Sequence, residues 1–259
     1  MKLPISERRL VPVAGADSPR LGLRTNSDGQ LIKNRILLAL PDEEFSSLRP
    51  LLTFQSFPRH STLYEPGTTM EFAHFLNCGL VSLLVVTRQG KTVEVGVVGN
   101  EGMLGTPVLV GLNRSPHRAV VQFAGDGFRI RVNAIQHALS VSPYLQRTLC
   151  RYAIVQGMEA AQSAGCNRLH GVEQRLARWL LISHDRAAQD SLQITHEFLA
   201  TMLGTDRPSV SLAAGVLQKK GAIEYTRGQL RIANQETLQE AACECYAAIV
   251  EFDAAFGHR

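Results

Sequence analysis

Hydrophobic and polar positions change rhythm along this chain. From Leu52 to Val132, short apolar runs alternate with turn residues. Thr62–Glu65 ends at Pro66-Gly67, Phe72–Asn77 precedes Gly79–Val86, and Thr92–Val98 returns after Thr87-Arg88-Gln89-Gly90-Lys91. Two alternating runs around such a turn predict a β-hairpin. His117–Phe123 and Phe128–Val132, joined by Gly125-Asp126-Gly127, predict another. Many short strands with frequent turns predict a small antiparallel barrel or roll. Upstream, Pro41-Asp42-Glu43-Glu44 opens a helix with acids that suit its dipole. Met1–Gln30 carries Pro4, Pro12 and Pro19 without a sustained period and predicts a poorly ordered arm.

From Asn133 the period becomes helical. Asn133 is a candidate cap for a short helix. Ser142-Pro143 places an N-cap and a first-turn proline before a helix that no proline interrupts from Tyr144 to His170. Ile154, Met158, Ala161 and Gly165 follow 4-3-4 spacing, with Gly157, Ala160 and Ala164 beside them. This stripe fits a homodimer seam, or packing against the chain's own barrel. Leu176, Trp179, Leu180 and Ile182 mark the buried face of another helix. Leu192-Gln193-Ile194 is a short extended piece, and Thr237–Phe256 predicts one amphipathic terminal helix.

The segment Ile194–Ser211 carries the most information. Thr195 caps a helix whose buried face is Phe198, Leu199, Met202 and Leu203. Gly204 can end it in a left-handed conformation. Thr205 or Asp206 caps the next helix, where Pro208 is tolerated in the first turn and Val210, Ala213, Ala214 and Leu217 form the apolar stripe. Helix, short glycine turn, helix is the helix-turn-helix layout, whose second helix presents N-terminal residues to base edges. Ala222–Tyr225, the turn Thr226–Gln229 and Leu230–Ile232 predict a wing. Candidate DNA-contacting residues are Thr195, Thr205, Asp206, Arg207, Ser209, Ser211, Lys219, Lys220 and Arg227. Arg207 suits a bidentate contact to guanine, whereas Lys219, Lys220 and Arg227 suit phosphate.

Charge sharpens this picture. The net charge over 259 residues is only +4, but Arg207, Lys219, Lys220, Arg227 and Arg231 cluster against Glu224 alone, and acids dominate after Asn234. Hydrophobic residues at 45% allow a substantial core. The longest aliphatic stretch, Gly79–Val86, falls far short of the ~20 residues of a membrane helix. Met1–Arg35 lacks the apolar region of a signal peptide. A cytoplasmic protein without membrane contact is therefore expected. Cys78, Cys150, Cys166, Cys243 and Cys245 are odd in number and scattered, which argues against a disulfide framework. Cys243 and Cys245 would point apart on one helix, so ordinary thiols and no metal site are expected, with metal binding or redox sensing the alternative. No G-x-S-x-G, H-E-x-x-H or Walker A pattern occurs, and no enzymatic activity is expected.

With these residues in view, the chain resembles the catabolite activator/fumarate–nitrate regulator (Crp/Fnr) family of bacterial transcription factors from about Leu31 to Ile232. The resemblance implies an α+β fold: a cyclic-nucleotide-binding-like antiparallel β-roll (31–141), a long dimerisation helix (142–170) and a winged helix-turn-helix domain with an extra C-terminal helix (171–259), preceded by the arm (1–30). It implies double-stranded DNA as a partner, a homodimer through Ile154, Met158, Ala161 and Gly165, and RNA polymerase as a partner if the protein activates. In the recognition helix Arg207 matches the family's first base-reading Arg. Pro208 replaces the Glu, and Leu212 takes the place of the later Arg, implying a different operator.

The sensor half departs further. Gly99–Pro107 resembles the glycine-rich phosphate cassette, and Arg118-Ala119 resembles the pair that holds a cyclic phosphate. Gly105, Thr106, Arg118 and Ala119 are therefore candidate ligand contacts. Thr106 stands where cyclic-AMP binders have a ribose-reading Glu, and Ala160 and Ala161 where they have an adenine-reading Thr-Ser pair. Cyclic AMP is accordingly not expected, and no cofactor is assigned. No cysteine precedes Cys78, unlike the iron–sulfur branch; His74 with Cys78 is a conceivable haem pair, but single His and Cys residues near strands are more often simply packed or exposed. The expected function is a sequence-specific DNA-binding regulator. The alternative is a sensor module acting on a protein partner.

Overall fold

Alternating inward and outward side chains build the first half of the molecule. Strands β1 (Thr53–Phe57), β2 (Thr62–Tyr64), β3 (Phe72–Leu76), β4 (Leu80–Val86), β5 (Thr92–Val98), β6 (Met103–Leu104), β7 (Arg118–Phe123) and β8 (Gly125–Arg131) form two antiparallel sheets. Their orders are β1-β8-β3-β6 and β2-β7-β4-β5. Phe57, Phe75, Met103, Val121, Phe128 and Ile130 fill the roll. Helices α1 (Arg35–Ala39) and α2 (Asp42–Leu48) add Ile36, Leu37, Phe45 and Leu48 to the same core. This is a computed structural model, and it describes residues 24–189, 191–226 and 228–255.

The β4–β5 hairpin forms as predicted, with Thr87 N–H donating to the Lys91 carbonyl at 2.9 Å. The second predicted hairpin does not form. Strand β7 pairs with β2 and β4, whereas β8 pairs with β1 and β3, so the chain turns a corner at Ala124 and changes sheet. Gly125 serves close backbone approach rather than a turn. A Cβ there would meet the Cys78 carbonyl at 2.1 Å.

The expectation of a loose arm reaching Gln30 is also corrected. Arg24 is buried, and its guanidinium donates to the Leu37 and Leu40 carbonyls at 2.9 and 2.7 Å and to Asp42 at 2.7 Å. It thereby satisfies carbonyls that the end of α1 leaves open. Met1–Leu23 lies outside the described residues.

Helix α3 (Val132–Val141) starts one residue before the predicted Asn133 cap, with no side-chain cap. Helix α4 (Pro143–Leu169) spans the predicted long segment. Its Ser142 makes no capping bond; instead, Glu44 of α2 accepts from Tyr144 N–H at 3.2 Å and Leu145 N–H at 2.9 Å. Leu145, Leu149, Tyr152, Val155 and Cys166 are the buried apolar face of α4.

The second half comprises α5 (Val172–Ala187), β9 (Ser191–Gln193), α6 (His196–Leu203), α7 (Arg207–Lys219), β10 (Ile223–Thr226), β11 (Gln229–Ile232), α8 (Gln235–Ala241) and α9 (Cys245–Ala255). Strands β10, β11 and β9 form an antiparallel sheet. The single terminal helix expected over 237–256 is two helices. Ala242 is extended, and Cys243 and Glu244 lie in the break.

A second core joins the halves. Leu80, Leu84, Val97 and Phe123 of the roll pack with Trp179, Leu180, Leu199 and Met202. The Trp179 indole donates to buried Glu94 at 2.6 Å. Arg186 reaches Glu159 of α4, the Val97 carbonyl at 3.0 Å and Asp253 of α9 at 3.3 Å. Among the described residues no helix is long and apolar enough to cross a membrane.

Candidate nucleic-acid interface

Short-range capping sets the angle between α6 and α7. Thr195 Oγ1 accepts from Phe198 N–H at 3.2 Å. Gly204 then adopts φ +59°, a conformation in which a Cβ is strained, and ends α6. Asp206 caps α7, accepting from Ser209 N–H and from the Ser209 hydroxyl, both at 2.8 Å. These two bonds hold the Asp206 carboxyl below its usual range. The buried faces of α6 and α7 meet through Leu199, Met202, Leu203, Val210, Ala213, Ala214 and Leu217.

Burying that stripe leaves the opposite face of α7 in solvent. Arg207, Pro208, Ser211, Leu212, Val216 and Lys219 are exposed, Leu212 at 74%. Among the described residues Arg207 forms no ion pair with Asp206, Glu197 or any other acid. Lys220 is different, with its ammonium 2.5 Å from Glu173 of α5. Thr195 and Asp206 act as caps, and Thr205 lies half-buried in the turn. Arg227 lies outside the described residues.

One participant was missed in the sequence. His196 opens α6, and its Nδ1 lies 2.8 Å from Ser211 Oγ, which also donates to the Arg207 carbonyl at 3.0 Å. The His196 ring stacks on Tyr225 of β10, with centroids 4.5 Å apart. The Tyr225 hydroxyl donates to the Ile194 carbonyl at 2.9 Å. This chain ties the first turn of α7 to the wing. Burial, then the Arg207 charge, hold His196 below its usual pKa. His196 and Tyr225 are separated by 29 positions, so no local pattern reveals the contact.

The sequence-predicted effector residues divide. Gly105 and Thr106 line a cavity of about 70 Å3, with Tyr64, Leu83, His117 and Gln156. Thr106 Oγ1 donates to Gln156 Oε1 of α4 at 2.9 Å. Arg118 instead pairs with Glu65 at 2.9 Å, and Ala119 is buried in the roll core. The glycines upstream serve packing. A Cβ on Gly99 would meet the Arg186 carbonyl at 2.2 Å, and one on Gly102 the Tyr152 hydroxyl at 2.0 Å. His74 is buried against Phe57 and Tyr64, while Cys78 Sγ turns to Asp126 at 3.7 Å.

On α4 the predicted seam faces away from the buried stripe. Ile154 is 61% exposed, Ala161 is exposed, and Met158 and Gly165 are half-buried. The premise that Cys243 and Cys245 diverge on one helix does not hold, because the break between α8 and α9 separates them. Both are buried beside Cys166.

Comparison with known proteins agrees with this geometry. A family profile described as a Crp-like helix-turn-helix domain matches residues 174–241. The chain is similar to the global nitrogen regulator of a Synechocystis species, with 23% identity over 82% of this chain and 98% of that protein. It is also similar to the transcriptional regulator SdrP of Thermus thermophilus, with 25% identity over 72% of this chain and 93% of that one. The structure of FixK2 from Bradyrhizobium japonicum shares the fold, with a TM-score of 0.62 at 15% identity over 74% of this chain and 98% of that one.

Proposed function

From the premise that the chain is a DNA-binding transcription regulator of the Crp/Fnr type, we propose that it binds a two-half-site operator as a homodimer and reads bases with α7. The observation that carries this reading is the outward face of α7. Arg207, without an ion pair among the described residues, stands in its first turn, Ser211 and Leu212 follow one turn later, and Lys219 lies at the far end. Arg207 supplies two parallel donors for guanine O6 and N7. Leu212 supplies apolar contact for a thymine methyl group, and Lys219 a phosphate charge.

The dimer reading rests on Ile154, which is exposed at mid-helix with Gly157, Ala161 and Ala164 around it. Small residues allow a second α4 to approach closely, and a two-fold pair of recognition helices suits two half-sites. The cavity at Thr106 supports an effector other than cyclic AMP or none. Its volume of about 70 Å3 lies far below the roughly 300 Å3 at which pockets for such ligands begin. Its Thr106–Gln156 bond also joins roll to helix where a ribose reader would stand.

The test begins with selection of bound duplexes from a random pool, followed by affinities for single-base variants. Arg207→Ala should cost roughly 1–3 kcal/mol per half-site and relax preference at one base pair. Unchanged affinity and preference would remove Arg207 from base reading. Ile154→Glu should sediment as a monomer and bind the full operator much more weakly. A wild-type monomer at high micromolar concentration would overturn the dimer.

A further inference from the structure

Four side chains meet where the long helix ends. Cys166 lies in the last turn of α4, and His170, the extended residue that caps the helix, donates its backbone N–H to the Cys166 carbonyl at 3.1 Å. Cys243 lies in the break after α8, and Cys245 opens α9. Cys166 Sγ and Cys243 Sγ are 3.5 Å apart, and Cys245 Sγ lies 3.6 Å from His170 Nδ1. The four candidate donor atoms all lie within 4.8 Å of one another.

We propose that Cys166, His170, Cys243 and Cys245 form a tetrahedral Cys3His site for one Zn2+, which clamps the C-terminal helices to the end of α4. Bond lengths of roughly 2.3 Å for Zn–S and 2.0–2.1 Å for Zn–N put tetrahedral donors about 3.8 Å apart for two sulfurs and about 3.6 Å for sulfur and nitrogen. The Cys166–Cys243 and Cys245–His170 separations are close to this single-ion spacing. A disulfide would bring two sulfurs to about 2.05 Å. An iron–sulfur cluster would spread its thiolates, because they bind different irons.

The surroundings suit such an ion. Glu244 Oε1 lies 3.2 Å from His170 Nε2, leaving Nδ1 as the metal-facing nitrogen in a carboxylate–histidine–metal arrangement. Gln162 Nε2 donates to Cys245 Sγ at 3.1 Å, a bond suited to a thiolate. Zn2+ with three thiolates and a neutral imidazole carries one net negative charge. Buried Arg175 and Arg178 act electrostatically on Cys166 and offset it. Binding releases the thiol protons to solvent and leaves all oxidation states unchanged. The clamp stands beside Gly171, where α4 gives way to α5, so it holds the winged domain's C-terminal extension to the dimer helix.

The full-length protein, purified under reducing conditions, should contain one zinc per chain by elemental mass spectrometry. Replacement by Co2+ should give sulfur-to-cobalt charge transfer in the near ultraviolet and strong visible bands of a tetrahedral site. Cys166→Ser, Cys243→Ser and Cys245→Ser should each lose the metal, while Cys150→Ser, at an exposed cysteine, should keep it. Against misfolding as the cause of loss, His170→Cys should retain the ion and increase the charge-transfer intensity. Glu244→Gln should lower zinc affinity roughly tenfold in chelator competition. A metal-free reduced protein that gives only weak octahedral cobalt bands would overturn the site. So would a Cys166–Cys243 disulfide in anaerobically isolated protein, or an iron chromophore as the native content.

Discussion

Lys219, exposed at the end of α7, forms no ion pair among the described residues, whereas Lys220 reaches Glu173 at 2.5 Å. Their effects on DNA binding should therefore differ. Lys219→Ala should weaken all duplexes alike and reduce the salt slope by about 1. Lys220→Ala should change the slope less, because its charge is already partly matched by Glu173. Affinities for one operator and one unrelated duplex over a salt series measure both. At this scale the position of Arg207 in the first turn of α7 was legible, because its place beyond a Thr-Asp cap is a local matter. His196 was not, since its partners Ser211 and Tyr225 arrive through the folding of α7 and the wing.

The long helix owes its start to another element. Ser142 has the residue type of a cap, yet Glu44 accepts from Tyr144 and Leu145 N–H. Glu44→Ala should destabilise the protein by roughly 1 kcal/mol, the usual worth of a helix cap. Ser142→Ala should leave stability nearly unchanged. Urea midpoints at fixed protein concentration compare the two. Helix α4, the β4–β5 hairpin and the pair α6–α7 were legible from periodicity and turn residues. The β7–β8 hairpin was misread because glycine marks both turns and close strand crossings, and only the neighbouring Cys78 backbone distinguishes them. The terminal helix was misread because its break at Ala242 carries neither glycine nor proline.

The two halves of the molecule meet at Glu94, where burial pushes the carboxyl up to about 7 from its ordinary 4.5, while bonds from Ser82 and Trp179 oppose the shift. Glu101, beside Arg186, is also pushed up to about 7 by burial. The folded state keeps these protons between pH 4.5 and 7, and the unfolded state releases them. Their contribution to stability should therefore fall as pH rises through that window and level off above 7, against the opposite contribution of buried His74, which is held down at about 4. Glu94→Gln retains an acceptor for Trp179 and a donor for Ser82. It should become more stable relative to wild type as pH rises, by up to roughly 3 kcal/mol at pH 7. Glu101 should leave a residual slope. Unfolding curves at several pH values, at one protein concentration, read this directly; a constant difference between the proteins would exclude a titrating Glu94.

The amino-acid order by itself determined the α+β layout, the roll before the long helix, and the helix-turn-helix with its wing. Each depends on periodicity, caps and turns within about 20 residues, where backbone sterics and burial of one face act locally. The tertiary structure alone decided which sheet each strand joins, which acid caps α4, and how Glu94 and Arg186 join the halves. It also decided that Cys166 and His170 meet Cys243 and Cys245 across more than 70 positions of chain. Such encounters depend on how whole faces pack, and packing brings together residues that no local period connects.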